Sequence, residues 1–397
     1  MLLFERFFCG IHKSMSNPAP SVTKLFVKTF GTKPDALYQA PGRVNLIGEH
    51  TDYNEGLVLP AAINFHTIIA VKRRDDDKFR AVSAAFPGIF EWHYGDEGNM
   101  SEDEGWVSYL KGFTSAMAQS GLPARGLDLA VIGNVPANAG LASSASLEIA
   151  FGTAINDTSQ LHLSPLAIAQ LAQRGENHYV GYGCGIMDQI TCAMAEAGAA
   201  LLIDCLDLDC ESVPFPDDLS LLIINSGLPS IAHSTEFGER RLQCEQVAGH
   251  FGLDTLRHLS LRALQSAEDE LDPVAFRRAR HVISENQRTQ SACRALEQGD
   301  IARLSKLMAE SHRSMRDDFE ISHPAIDTLV ELIAEVVGER GGVRMTGKGF
   351  GGCVIALVEH ELTDKVIAAV EQQYPAKTEL EASVYLCSPS DGASRLD

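Results

Sequence analysis

The twelve residues Gly42-Arg43-Val44-Asn45-Leu46-Ile47-Gly48-Glu49-His50-Thr51-Asp52-Tyr53 constrain this chain more than any other stretch. They set an arginine, two carboxylates, a histidine and an asparagine among apolar positions, bracketed by glycines and a proline. Solvation alone is a poor explanation for such a density of charged hydrogen-bonding groups. Glu49, His50 and Asp52 can together accept from and donate to several hydroxyls of a small polyol, while Arg43 supplies a fixed positive charge beside them. A polar loop between two strands is the plainer alternative, and the stretch taken alone does not decide between them.

At 397 residues the chain can bury a large core and is expected to divide into two domains. Its 45% hydrophobic and 22% charged residues are ordinary for a soluble globular protein. The formal charge of -20 argues against nucleic acid or an anionic membrane as a partner. An acidic protein that handles a phosphate-bearing anion must build a local positive site from backbone amides, arginine and metal. No apolar run reaches the ~18 residues that a membrane helix needs. The opening Met1 to Cys9 is apolar but interrupted by Glu5 and Arg6, which makes it a poor signal peptide. Nine cysteines without a CxxC pair read as reduced, buried thiols and imply a cytoplasmic protein.

Strand-like runs at 67–71, 127–132, 200–203, 221–224, 354–358 and 383–386 are interspersed with helix-like stretches near 106–118, 146–155, 165–176, 325–337 and 364–372. The mixture predicts an α+β architecture with mixed sheets. The segment Pro214-Phe215-Pro216-Asp217-Asp218 is the candidate crossing between domains.

Two further segments carry chemistry. Gly133 to Ser146 joins a strand to a helix through small residues, with Ser143, Ser144 and Ser146 at the helix entry. Small side chains let a phosphate approach the backbone, and first-turn amides favour an anion there. A serine N-cap on a tightly packed helix is the commoner origin of such serines. Met345-Thr346-Gly347-Lys348-Gly349-Phe350-Gly351-Gly352-Cys353 runs into an apolar strand, and its glycines imply backbone in close contact with a ligand or a neighbouring helix. Between the two lies Gly183-Cys184-Gly185-Ile186-Met187-Asp188-Gln189, where Asp188 is either a catalytic carboxylate or a helix N-cap.

In order and in near-literal sequence, these three segments resemble the motifs of the galactose, homoserine, mevalonate and phosphomevalonate kinase superfamily. The run from Gly42 through Tyr53 and on to Ile63 resembles the signature of the galactokinase family. The resemblance runs from about Lys24 to the C-terminus and includes Ala309 to Phe319. It implies a two-lobed fold: an N-terminal lobe like ribosomal S5 domain 2 over 24–215 and a ferredoxin-like C-terminal lobe over 216–397, with 1–23 as an extension. It further implies transfer of the γ-phosphoryl group of MgATP to the anomeric hydroxyl of D-galactose, giving α-D-galactose 1-phosphate and ADP. By the same resemblance Arg43 and Asp188 are catalytic. Glu49, His50, Thr51, Asp52, Gly185 and Phe237 contact sugar. Asn138, Ala139, Gly140, Leu141, Ala142, Ser143 and Ser144 cradle the phosphates, and Ser144 with Glu176 holds Mg²⁺. A monomer is the expected state. A carboxylate beside a guanidinium is a weak base, so the work of Asp188 is expected to be orientation more than full proton abstraction.

Departures from the family pattern are as informative as the matches. Asn138 and Ala142 stand where the phosphate loop usually has glycine and serine, and asparagine is the least costly replacement for a glycine at positive φ. Lys348 interrupts the glycine-rich run and either reaches a phosphate or points to solvent, with solvent favoured. Phe237 stands where the family uses a tyrosine on the sugar, which predicts a raised KM for galactose or a wider sugar range. Trp106 lies in a segment resembling one near the adenine, although an aromatic on an amphipathic helix is more often core. Two alternatives stay open: another sugar 1-kinase, of the N-acetylgalactosamine or arabinose type, and a non-catalytic sugar and ATP sensor.

Overall fold

A computed structural model describes residues 18–96, 105–136, 139–181, 183–228 and 234–396, without the side chains of 234–237. The first part of the chain runs α1 (Ala19–Phe30), β1 (Ala36–Asn45), β2 (Leu57–Val58), β3 (Pro60–Arg73), β4 (Lys78–Ser83), β5 (Ile89–His93), α2 (Val107–Gln119), β6 (Leu127–Gly133), α3 (Ser143–Thr158), α4 (Pro165–Gly175), α5 (Met187–Met194), β7 (Ala199–Asp204) and β8 (Asp209–Pro214). The second part runs β9 (Leu219–Asn225), α6 (Ser234–His250), α7 (Leu261–Ser266), α8 (Pro273–Glu297), α9 (Ile301–Asp317), α10 (Pro324–Val337), β10 (Gly341–Thr346), β11 (Cys353–Glu359), α11 (Thr363–Thr378), β12 (Ser383–Cys387) and β13 (Ser394–Leu396).

The expected strands and helices are all present within these elements. Two boundaries differ from expectation. The first lobe reaches back to Ala19, because α1 buries Val22 and Phe26 against Ile68, Ala70, Val82 and Ala130 on one face of the first sheet. The chain also returns to that sheet at its end, where β13 pairs antiparallel with β1, so residues 216–397 do not stay within one lobe. Helices α6, α8 and α9 were not evident as apolar runs. They are rich in charged residues, and α8 even buries Arg278, His281 and Glu285 along its length.

The first sheet has the order β13-β1-β3-β6-β4-β5, with only the β4–β6 pair parallel. Helices α2 to α5 cover its inner face in a core that includes Phe79, Trp92, Phe113 and Phe151. The second sheet, β10-β11-β9-β12, is antiparallel throughout. Its strand–helix order, with helices between β9 and β10 and α11 between β11 and β12, is the split βαβ arrangement of a ferredoxin-like lobe.

Strands β9 and β11 read as continuous apolar runs because both faces are buried. Alternate residues serve different cores. Leu222, Ile224, Val354 and Ala356 pack under the C-terminal helices, whereas Leu221, Ile223, Ile355 and Leu357 share a core with Val44, Leu46, Ile47 and Leu59 of the first lobe. That shared core locks the two lobes together directly behind the Gly42–Tyr53 segment. No described helix is long and apolar enough to cross a membrane, and the described cysteines are all free thiols.

Candidate active site

The Gly42–Tyr53 segment is part strand and part turn. Gly42 to Asn45 complete β1, whose register against β3 shifts between Pro41 and Gly42, from Pro41 opposite His66 to Gly42 opposite Ile63. Proline cannot continue the ladder, and a bulge of this kind re-aims the next side chains. The glycine is needed, because a Cβ on Gly42 would sit 2.7 Å from the Leu141 carbonyl oxygen. That close approach brings the phosphate-loop candidate onto the strand, and the Arg43 amide donates to the same carbonyl at 3.1 Å.

Arg43, 7% exposed, ties three segments together. Its Nη1 donates to the Gly140 carbonyl at 2.6 Å. Its Nε and Nη2 both reach Oδ1 of Asp188, at 2.7 and 2.5 Å. Burial opposes its charge, but Asp188 and Glu49 nearby more than compensate. Asp188 is therefore not a helix cap: Ile186 occupies the N-cap of α5, and the Asp188 carboxylate turns outward to the guanidinium. With both contacts on Oδ1, its Oδ2 takes no hydrogen bond among the described residues.

After β1 the chain makes a tight turn held by its own side chains. The Thr51 hydroxyl lies between the carbonyls of Gly48 and Leu57, at 2.9 and 2.7 Å, shares its one proton with them, and is wholly buried. The side chain of Thr51, a residue expected at the sugar, braces the turn. Gly48, at φ 93°, passes so close to Leu57 that a Cβ would lie 2.5 Å from its carbonyl oxygen. His50 adopts φ 62°. Its ring meets the Tyr53 hydroxyl through Nδ1 at 2.9 Å and packs 5.0 Å from the Phe319 ring. Burial, with His281 and Arg240 adding to it, lowers His50 to about 3, so the imidazole is neutral at working pH. Asp52 stands against Gly185, where a Cβ would come within 1.8 Å of its Oδ2. Burial and then the nearby Asp188 raise the Asp52 carboxyl to about 7.

The turn is braced from the other lobe, by residues that the sequence did not mark. Glu285 of α8 accepts from the amides of Gly48 and Glu49, at 3.1 and 3.3 Å. Burial would raise this carboxyl, yet Arg288, His281 and Arg344 hold it well below the usual carboxylate range. Asn286 accepts from the Leu57 amide at 2.8 Å, and the His281 ring reaches the Glu49 carbonyl at 3.0 Å. The one signal available in the sequence was Arg344, a charge in the strand just ahead of the glycine-rich run. His281 also meets the Ser314 hydroxyl at 2.9 Å, and His312 pairs with Asp327 at 3.1 Å.

In the phosphate-loop candidate, left-handed backbone falls on Gly140 (φ 71°) and Ala142 (φ 59°), the latter at the N-cap of α3. Ala139 and Leu141 are buried, Ser143 is exposed and Ser144 half-buried on the first turn. Ser146 faces inward instead, donating to the Ala40 carbonyl at 2.8 Å. Asn138 lies outside the described residues, as does the side chain of Phe237. The glycine-rich run faces this loop: a Cβ on Gly347 would lie 3.9 Å from the Gly140 carbonyl oxygen, while Gly349 is pressed against Ile321. Lys348 is exposed, and its charge is felt at Glu176. Trp106 stacks 6.2 Å from the Phe86 ring, in the packing of the first lobe.

Glu176 opens a π-helical turn over Glu176–Val180, a local widening that recurs at functional sites. Its Oε2 accepts from Gln189 at 2.8 Å. Burial and then Asp188 raise it to about 7. Glu148, one turn beyond Ser144 on the same helix face, lies against it, and burial with Glu176 pushes the Glu148 carboxyl well above its usual range. Neither Glu148 oxygen has a hydrogen-bond partner among the described residues. Buried carboxyls short of positive charge suit a hard divalent cation. Among the described residues no three His, Cys, Asp or Glu side chains form a closed metal cage; such a cation would take its other ligands from phosphate and water.

Comparison with known proteins bears out the resemblance. The family model described as the galactokinase galactose-binding signature matches residues 24–73, and those of the GHMP kinase N-terminal and C-terminal domains match 108–196 and 292–376. A crystal structure of Lactococcus lactis galactokinase complexed with galactose shares 34% identity, covers 96% of this chain and 100% of its own, and superposes with a TM-score of 0.91. The chain belongs to the galactokinase family. Mevalonate kinase from Methanococcus jannaschii (18% identity, 89% and 98% covered, TM-score 0.63) and homoserine kinase from Cytophaga hutchinsonii (16%, 91% and 97%, 0.59) share the GHMP kinase fold.

Proposed function

We propose that this galactokinase-family chain transfers the γ-phosphoryl group of MgATP to the anomeric hydroxyl of D-galactose. The observation that carries the reading is the Arg43 guanidinium, which bonds both the phosphate-loop carbonyl of Gly140 and the carboxylate of Asp188. Phosphoryl transfer asks a protein chiefly for alignment and charge stabilisation. Arg43 stands where nucleotide and sugar would meet and offsets the charge that spreads over the transferring group. Asp188 keeps Oδ2 for the anomeric hydroxyl, accepting its proton or aiming its oxygen at phosphorus. Glu49, neutral His50 and Asp52 take the remaining sugar hydroxyls, and Gly185 leaves the room that Asp52 needs.

Residues 139–144 would bind the phosphates through backbone amides at the start of α3. Ser144 and Glu176 would hold Mg²⁺, which supplies charge neutralisation between the phosphates. The test is coupled ADP release by the purified protein with MgATP, comparing D-galactose, N-acetylgalactosamine, arabinose and a no-sugar blank. Galactose-dependent turnover supports the reading; binding without turnover on any sugar would overturn it in favour of a sensor.

A further inference from the structure

Glu49 is assigned to the sugar, and its carboxylate is held by a residue from the other lobe. Arg344, on β10, is 0% exposed. Its Nη1 donates to the carbonyls of Asn45 and Leu46 at 3.1 and 3.0 Å. Its Nη2 reaches Oε2 of Glu49 at 2.5 Å. Thr346, two residues on along the same strand, donates to the Asn45 carbonyl at 3.1 Å and lies 3.4 Å from the same Oε2. Every one of these contacts to the carboxylate goes to Oε2, and Oε1 accepts none among the described residues. Burying an ion pair of this kind is weak support for stability, since desolvation offsets most of the attraction. Its geometry is better explained by orientation: main-chain bonds fix the guanidinium plane, and the plane fixes the carboxylate.

We propose that Arg344, assisted by Thr346, is a positioning residue for sugar recognition, holding Oε2 of Glu49 so that Oε1 is presented to a sugar hydroxyl. The sugar pocket is then complete only when β10 of the second lobe lies behind the signature turn. The inference rests on the reading of Glu49 as a sugar contact.

The test is steady-state kinetics on the full-length chain carrying Arg344→Lys or Thr346→Val, each alone and combined with Glu49→Gln, with galactose and MgATP varied separately. Lysine keeps the charge and loses the planar fork, so Arg344→Lys should raise the galactose KM about tenfold. Thr346→Val should raise it about two- to fivefold, with kcat and the MgATP KM within about twofold in both. In the Glu49→Gln background the further effect of Arg344→Lys should vanish, because residues acting through one another are not additive. Additive effects, or losses confined to kcat or the MgATP KM, would overturn the proposal. An unchanged galactose KM in Glu49→Gln itself would instead overturn the assignment of Glu49. If Arg344→Lys does not fold, Thr346→Val carries the test alone, and an unaltered galactose KM there counts against it.

Discussion

The turn at 48–54 and the loop at 139–144 are joined through Arg43, yet they are built in opposite ways. The turn works through side chains. Its backbone is braced from α8 of the second lobe by Glu285, Asn286 and His281, and its Glu49 carboxylate is held from β10 by Arg344. The loop works through backbone. It offers small residues, left-handed conformations at Gly140 and Ala142, and a helix start, and it contributes the Gly140 carbonyl to hold Arg43. A sugar presents many hydroxyls in fixed directions, which only oriented side chains can tell apart. A polyphosphate presents diffuse charge, which amides and a helix dipole satisfy. Substitutions in the turn should therefore act on sugar KM, and substitutions in the loop on nucleotide binding.

The largest expected effect breaks the link between the two regions. Asp188→Asn keeps the shape but removes the negative charge that faces Arg43 and that is proposed to accept or aim the sugar hydroxyl, and should lower kcat by about 10²–10⁴. Single-turnover measurement of ADP formation checks it, and full retention of rate would show that Asp188 is not at the reacting atoms. Next comes Gly185→Ala, whose Cβ would fall 1.8 Å from the Asp52 Oδ2. Asp52 would have to move, so the galactose KM should rise by about tenfold or more while the MgATP KM stays put. A parallel rise in both would mean that the two regions are not separable.

The pH dependence sharpens the comparison, because two carboxyls are raised to about 7: Asp52 in the sugar-side turn, and Glu176 of the π-helical turn proposed to hold the cation. In the folded chain these groups keep their protons up to near pH 7, whereas in the unfolded chain they lose them near pH 4. The sign follows by linkage: their contribution to stability is fully present at low pH and is lost as pH rises through about 7. Activity should run the other way. In the proposed roles ionised Asp52 would accept from sugar and ionised Glu176 would suit a cation, so kcat/KM should climb towards a plateau above about pH 7. A profile that is flat from pH 5.5 to 8, on the order of the range a buffer series spans, would contradict both assignments.

The smallest effect concerns the loop alone. Ala142 holds φ 59° at the head of α3, a conformation that costs an L-residue about 1 kcal/mol relative to glycine. Ala142→Gly should raise stability by up to about 1 kcal/mol, measured by denaturant unfolding, without altering the galactose KM.

What was legible in the sequence follows from the same contrast. The signature, the phosphate loop and the glycine-rich run each gather their chemistry within a few consecutive residues, so their residue types announced them. Buried strands such as β9 and β11 were visible as apolar runs. The brace behind the turn was not, because Glu285 lies 236 residues from Glu49 and Arg344 lies 295. Nothing local distinguishes a buried glutamate on a long charged helix from a solvated one. The bracing part of Thr51 was hidden for a related reason: its position in a reactive-looking motif gave no hint that its hydroxyl closes the turn on itself.

The most direct measurement of the central claim is ³¹P NMR of the product formed from MgATP and galactose labelled with ¹³C at C1. The account predicts a phosphate monoester whose phosphorus couples to C1 of the α-anomer, formed by the wild-type chain and lost in Asp188→Asn. Phosphate appearing on another carbon, or only as inorganic phosphate with galactose untouched, would contradict it.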